Sequence, residues 1–426
     1  MKKSDFSFKA ELSVTVILLI FAACSKNDNP GPSPVIRSFY PTYGIMGSTV
    51  TIIGDHFIPT VPPEKGKGPF PNTSIVTFNG TVAEAEYVYQ DSIGIQHINT
   101  KVPAGATSGK IAITVNGITV SSLDDFNVTV PIYLPNVEVT TVPGYGKDVA
   151  VDGEGSLYVT HTEPFEIVKI TPDGNLHTLW SSATDEIPWG IAVDAKGNVF
   201  ATVLSSYILK IDAGGKVSTL AGSAESGDVD GQGAIARFNW PFGIALDKDG
   251  NLYIADSFNH KIRKITPDGI VSTLAGSTSG YKDGAGTNAQ FGSPMDVATD
   301  GEGNVYVTDG YRIRKVTSDG QVSTVAGSST TPAYLDGITA NARFSGLSGI
   351  VIDAVGNLYV CDAGNYVVRR ITPDGTVATV AGSTPGNVDG PGSSAQFDYL
   401  LGITMDAGGA FYLAQSDGPI RKIVIH

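Results

Sequence analysis

The chain has 426 residues, of which 51 are glycine and 24 proline, and only 16% are charged. That length exceeds one ordinary compact domain, and that composition describes many short strands joined by tight turns, not long helices or coiled coils. The net charge of −14 comes with no basic face to neutralise phosphates, which argues against nucleic acid as a partner.

At the start, Lys2, Lys3 and Lys9 precede an apolar run from Leu12 to Ala23 that ends in Phe21-Ala22-Ala23-Cys24. The run is shorter than the ~20 residues needed to span a bilayer, so residues 1–24 read as a signal peptide. Small residues directly before a cysteine resemble the bacterial lipobox, with Phe21 where that motif usually carries Leu. The resemblance implies lipidation at Cys24, a membrane partner reached through the N-terminal lipid, and residence in the outer membrane facing the cell exterior. An ordinary secretory peptide with an incidental cysteine is the alternative. Residues 25–34, SKNDNPGPSP, are too polar to pack and are expected to form a flexible tether. The second cysteine, Cys361, lies in the apolar run Leu358-Tyr359-Val360-Cys361 and is expected to be a buried thiol. Core burial must therefore hold the chain together.

Residues 35–130 alternate apolar and polar side chains, as in Thr49-Val50-Thr51-Ile52-Ile53 and Lys110-Ile111-Ala112-Ile113-Thr114-Val115, with Asn-Gly pairs at 79–80 and 116–117. This predicts an antiparallel sandwich with tight hairpins. Ile36 to Pro41, Gly44, the run ITIIGDHF and the late Val102-Pro103 resemble an IPT/TIG immunoglobulin-like domain, with residues 58–73 as a loop insertion. The resemblance implies a spacer or interaction module without catalytic residues.

From 135 to 426 the sequence repeats. Gly190, Gly243, Asp296, Gly349 and Gly402 open successive units 53 residues apart, and Asp230-Gly231, Asp283-Gly284, Asp336-Gly337 and Asp389-Gly390 keep that interval. Each unit carries four apolar runs, which is the pattern of a propeller blade. Six such units are counted. The last stops after its third strand, and Val139 to Gly144 matches the missing fourth, so an N-terminal strand is expected to close the ring and remove its edges. The run from Gly250 to Ile265 resembles an NHL repeat. The predicted fold class is therefore all-β, an IPT/TIG sandwich followed by a six-bladed NHL-type propeller.

Binding is expected on the face holding the second-to-third-strand loops and the ~20-residue connections between blades. Trp189, Trp240, Phe242, Tyr281, Tyr334 and Tyr399 lie on the connections; Phe258, Tyr311 and Tyr366 lie on the loops. Flat rings with polar rims suit sugars or extended peptides, while filling of the blades is the competing use of the same rings. Phe238 and its repeat equivalents are expected to be blade packing.

Asp228 to Gly233 begins like a calcium loop, but Asn239 stands where the closing Glu would be, so a turn stabilised by Asp230 is the preferred reading. Asp256, Asp309 and Asp362 recur at one blade position, which points to capping. Six-bladed propellers resembling this one also include lactonases and lyases with His or carboxylate metal sites. Of the six histidines only His161 and His260 reach the loop face, too few for a His-based site; no metal or cofactor is expected. The domain order resembles surface lipoproteins of Bacteroidetes-type glycan-uptake systems. It implies a non-enzymatic module for a polysaccharide or surface protein, with a propeller hydrolase or lyase as the alternative.

Overall fold

Strict alternation makes one face of each segment apolar, and the segments pair so as to bury it. The computed structural model describes residues 32–40, 42–44, 49–57, 74–83, 85–115, 117–128, 131–184, 186–327, 332–339 and 341–426. Cys24, the signal peptide, most of the tether and the insertion at 58–73 lie outside them. Apart from four short 3-10 turns, the regular elements are all strands. The described chain divides into two compact units, with the boundary between Asn127 and Val128.

In the first unit, one sheet pairs Val35–Tyr40 with Thr49–Asp55, Gln96–Lys101 and Ala85–Gln90 in that order. The other pairs Ile118–Val128, Gly109–Val115, Ile75–Phe78 and Thr81–Ala83. Val50, Ile52, Ile98, Ile111, Ile113 and Phe126 are buried between them, and Phe78 meets Phe126 edge-on at 5.1 Å. Asn79 and Gly80 both take positive φ (43° and 87°), as a two-residue hairpin requires.

The second unit contains six sheets in chain order, numbered here as blades 1 to 6. Their first strands are Val149–Val151, Pro188–Val193, Pro241–Leu246, Pro294–Thr299, Leu347–Ile352 and Leu400–Met405. These lie side by side, and that of blade 1 also lies beside that of blade 6, so the ring is closed. Blade 6 gains its fourth strand from Val137–Tyr145, in antiparallel register with Pro419–Ile425 (Val139 opposite Ile423).

The long connections are not open loops on one face. That between blades 2 and 3 leaves Gly222, reaches the far end of blade 3's outer strand where Gly231 pairs with Val271, and returns at Pro241. Blades 4, 5 and 6 gain a fifth strand likewise, at Gly284–Ala285, Gly337–Ile338 and Gly390–Pro391. Blades 1 and 2 have four strands only.

A buried arginine on the third strand fixes each of these connections. Arg263, Arg314, Arg369 and Arg421 are wholly buried and lie 5.1–5.3 Å from the rings of Phe238, Phe291, Phe344 and Phe397. Each pairs with the Asp of the Asp-Gly turn, from Asp230 at 2.5 Å to Asp283 at 2.7 Å. In blades 3 to 5 a second Asp joins from the second strand: Asp256 at 2.7 Å, Asp309 at 3.1 Å and Asp362 at 2.8 Å. The repeated Asp-Gly is thus half of an ion pair as well as a turn, and the second Asp does more than cap. Blades 1 and 2 carry Val168 and Leu209 in the arginine's register and have no Asp-Gly connection.

Removing one partner of a buried pair leaves the other charge without compensation, at a cost of about 3–5 kcal/mol. Arg369→Met is expected to lower unfolding stability in urea by that amount, because Asp336 and Asp362 are both stranded. A loss below about 1 kcal/mol would show that the arginine is not what holds blade 5.

Candidate functional site

One strand position forms the rim of the axial channel. The residue entering each first strand is Lys147, Trp189, Phe242, Met295, Ser348 or Leu401, followed by Asp148, Gly190, Gly243, Asp296, Gly349 or Gly402. Glycine lets neighbouring blades approach backbone to backbone: a Cβ at Gly190 would strike the Phe242 carbonyl, and one at Gly349 the backbone of Leu401 and Ile403. Hydroxyls on the second strands add further ties, from Thr160 to the Trp189 carbonyl, Thr202 to Phe242 and Thr308 to Ser348, all at 2.6 Å. Cys361 occupies the same register, free and buried, and burial pushes its thiol well above the ordinary range.

Blades 1 and 4 break the glycine pattern. Asp148 leans over Gly402 of blade 6, and Asp296 over Gly243 of blade 3, where an added Cβ would collide with the carboxylate. Each also accepts a backbone N–H from the following blade, Asp148 from Ile191 and Asp296 from Ile350, both at 2.9 Å. Burial, and then the charge of Asp296, raises the Asp148 carboxyl well above its usual range. Burial raises Asp296 to about 7 against the pull of the Ile350 and Val297 N–H groups. The cavity between rim and carboxyls measures about 20 Å³, room for one water, against the ~300 Å³ of a small-molecule site. Neither acid was singled out as a site residue from sequence, although the exchange of Gly for Asp in the repeat register was the available signal.

The predicted aromatics fall into two groups. Trp189 and Phe242 meet edge-on at 5.2 Å, Phe242 and Trp240 at 6.2 Å, and Trp240 and Phe258 tilt at 40° with centroids 5.2 Å apart. This file runs from the channel wall outward. Phe242 is core, while Trp240 is 39% and Phe258 53% exposed. Trp240 takes φ 52°, a left-handed backbone that is an outlier for so bulky a residue; Gly346, at the matching place before blade 5, takes φ 70°. In the second group, Arg312 lies 4.2 Å over Tyr281, and both Tyr281 and Tyr399 are exposed. Tyr311 and Tyr366 are half-buried; burial, and then the nearby Tyr366, Asp362 and Tyr311, push the Tyr399 hydroxyl up. Tyr334 does not belong to the face: it is buried, packs 4.5 Å from the Arg369 guanidinium, and its hydroxyl meets that of Thr379.

His161 is buried, with Nδ1 3.0 Å from Glu166 Oε1 and its ring stacked on Tyr145 at 4.2 Å. The Nε2 atom has no protein partner. The Nδ1 of His260 lies 2.9 Å from the Gly292 carbonyl. Among the described residues, no three His, Cys, Asp or Glu side chains are placed to share a metal.

The profile of the IPT/TIG domain matches residues 34–129, and that of the NHL repeat matches residues 238–265. The NHL repeat-containing protein 2 of Gallus gallus is 30% identical over 259 residues, 51% of this chain and 36% of that protein. Teneurin-3 of Mus musculus is 28% identical over 222 residues, 45% of this chain but 8% of that protein. The chain thus matches a minor part of each of these longer proteins. Among solved structures, an auxiliary nutrient binding protein from Bacteroides ovatus superposes with a TM-score of 0.54 at 18% identity, covering 93% of this chain and 99% of that one. A Bacteroides thetaiotaomicron protein of unknown function gives 0.53 at 19%, with the same coverage. At these identities the likeness shows the fold.

The axial acids predict a pH dependence. Asp296 ionises near pH 7 in the fold against its ordinary 3.8, so its stabilising contribution is complete below about pH 4 and is lost as pH rises through about 7. Asp296→Asn keeps an acceptor for the Ile350 N–H and cannot ionise. Between pH 5 and 8 the wild-type Tm is expected to fall relative to this variant; parallel curves would remove Asp296 as the titrating group.

Proposed function

We propose that this chain is a non-enzymatic binding module of the cell envelope, lipidated at Cys24, whose propeller captures a glycan or protein partner on the loop face. The observation that carries the reading is the aromatic file from Trp189 to Phe258, exposed at its outer end beside an axial cavity with room for about one water. A shallow face with projecting rings suits an extended ligand, whereas a small substrate needs an enclosing pocket. The auxiliary nutrient binding description of a structural relative is in keeping with capture. Hydrolysis or lysis is the second reading, favoured by the raised carboxyls of Asp148 and Asp296; their seat behind a rim that admits one water counts against it.

Titration calorimetry of the full chain against polysaccharides and envelope proteins tests the capture. Trp240→Ala is expected to weaken binding about 30-fold, the size of a hot-spot truncation near 2 kcal/mol, with Tm not reduced. Unchanged affinity would move the site off this face. Lipidation is tested separately: Cys24→Ala should abolish labelled palmitate incorporation and release the protein from the membrane fraction, and retained label would overturn the anchor.

A further inference from the structure

We infer that the ligand of the loop face is an uncharged polysaccharide, seated on Trp240 and Phe258; the inference rests on the binding reading above and narrows it to one chemistry.

The first observation is which apolar side chains this face exposes. Among the described residues of the propeller, the exposed rings are Tyr145, Trp240, Phe258, Tyr281 and Tyr399, all at this face. Of the exposed aliphatic residues, Leu176, Val217, Ile270 and Val355 sit at the start of outer strands or on a turn of the opposite face, while Ile132 precedes the closing strand and Val229, Ile235, Ile338 and Val388 lie on the connections that run along the outer strands. Protein interface cores are rich in Tyr and Trp as well, so the rings alone set the contact area and the charge of the face selects the ligand. Rings alone offer flat π surfaces to the C–H faces of sugar rings. The 5.2 Å step between Trp240 and Phe258 is comparable to the length of one sugar unit, and their 40° tilt suits consecutive units of a twisting chain.

The second observation is strain. Trp240 holds a left-handed backbone at φ 52°, which costs a non-glycine residue of order 1–3 kcal/mol. Blade 5 uses glycine at the matching position. Packing alone does not require this indole, since its residue is 39% exposed. A strained, projecting tryptophan is what a selected contact surface contains.

The third observation is charge. Most cations carried on the segments bearing these rings are committed to the protein itself; Lys282, beside Tyr281, stands exposed. Lys147 Nζ donates to the Ser416 carbonyl at 2.9 Å, Lys261 pairs with Asp228 at 2.5 Å, and Arg312 covers Tyr281. Glu163, Asp398 and Asp417 occupy loops of the same face, in a chain of net charge −14. A uronate or sulfated chain would meet these acids and find most counter-charges already paired, Lys282 being the exception.

The test titrates the full chain, wild type and Trp240→Gly, against neutral glucan, xylan and mannan and against polygalacturonate and a sulfated galactan. The expected result is binding to a neutral polymer that changes less than about two-fold between 50 and 500 mM NaCl, because no ion pair is screened. Trp240→Gly should weaken it by about 10-fold or more while Tm stays level or rises, since glycine releases the strain. Binding of a charged polymer that falls steeply with salt and is lost in Trp240→Gly overturns the inference but leaves the binding module standing. Selective capture of an envelope protein through Trp240 does the same. Binding of any polymer that survives both Trp240→Gly and Phe258→Ala overturns the inference and the site together.

Discussion

Four buried guanidinium groups are the constraint on which the loop face depends. Each arginine is stripped of water, and its carboxylate partners (a single one, Asp389, in blade 6), the ring beneath it and nearby carbonyls offset that loss. The consequence reaches the surface in one step. Asp256, which pairs with Arg263, also accepts the N–H of Asn239, the residue before Trp240. Asp309 takes those of Gly292 and Ser293, and Asp362 that of Ser345. In blade 6, Gln415 takes over and accepts from Asp398, the residue before Tyr399. In blade 3 the charge that holds the blade together therefore also sets the backbone from which Trp240 projects.

The six units are alike in strand order and unlike in the side chains they carry. Blades 3 to 6 carry the arginine, the fifth strand and most of the exposed rings. Blades 1 and 2 use Val168 and Leu209 instead, and the connection between them spans only about six residues, so it has no Asp-Gly turn to anchor. The axis shows a different division. Carboxyls at blades 1 and 4 and glycines elsewhere place two acids three blades apart, each bridging its two neighbours. That bridging leaves room for about one water between rim and carboxyls.

Much of this was legible in the sequence because repetition amplifies weak local signals. A single Asp-Gly pair is any turn; four at one interval, each followed by Ala and Phe, mark one structural unit. The closing strand was legible for the same reason, since Val139 to Gly144 fits a register missing at the other end. What was not legible is where long connections travel. Their length suggested loops over the binding face, yet Gly231, Gly284, Gly337 and Gly390 pair along outer strands, a tertiary outcome that turn chemistry does not encode. The same limit explains Tyr334, whose ring is drawn inward over Arg369 while Tyr281, at the corresponding place, stays exposed beneath Arg312. Asp148 and Asp296 were visible as departures from glycine, but their pairing across the axis needs the closed ring.

On the capture reading proposed above, a face built this way gains affinity through stiffness. The rings sit on returns pinned by buried ion pairs, and Trp240 holds its unusual backbone before any ligand arrives. Such preorganisation lowers the ordering cost of binding, which otherwise consumes about 0.5–1.5 kcal/mol for each immobilised side chain. It also explains why strain is tolerated at residue 240: Arg263, Asp256 and Phe238 over-determine the surrounding turn, so the strain lowers stability slightly without letting the indole fold away. The stability that the arginines supply is thus connected directly to the exposure of the ring. A propeller without them at blade 3 could retain Trp240 in its sequence and still fail to present it.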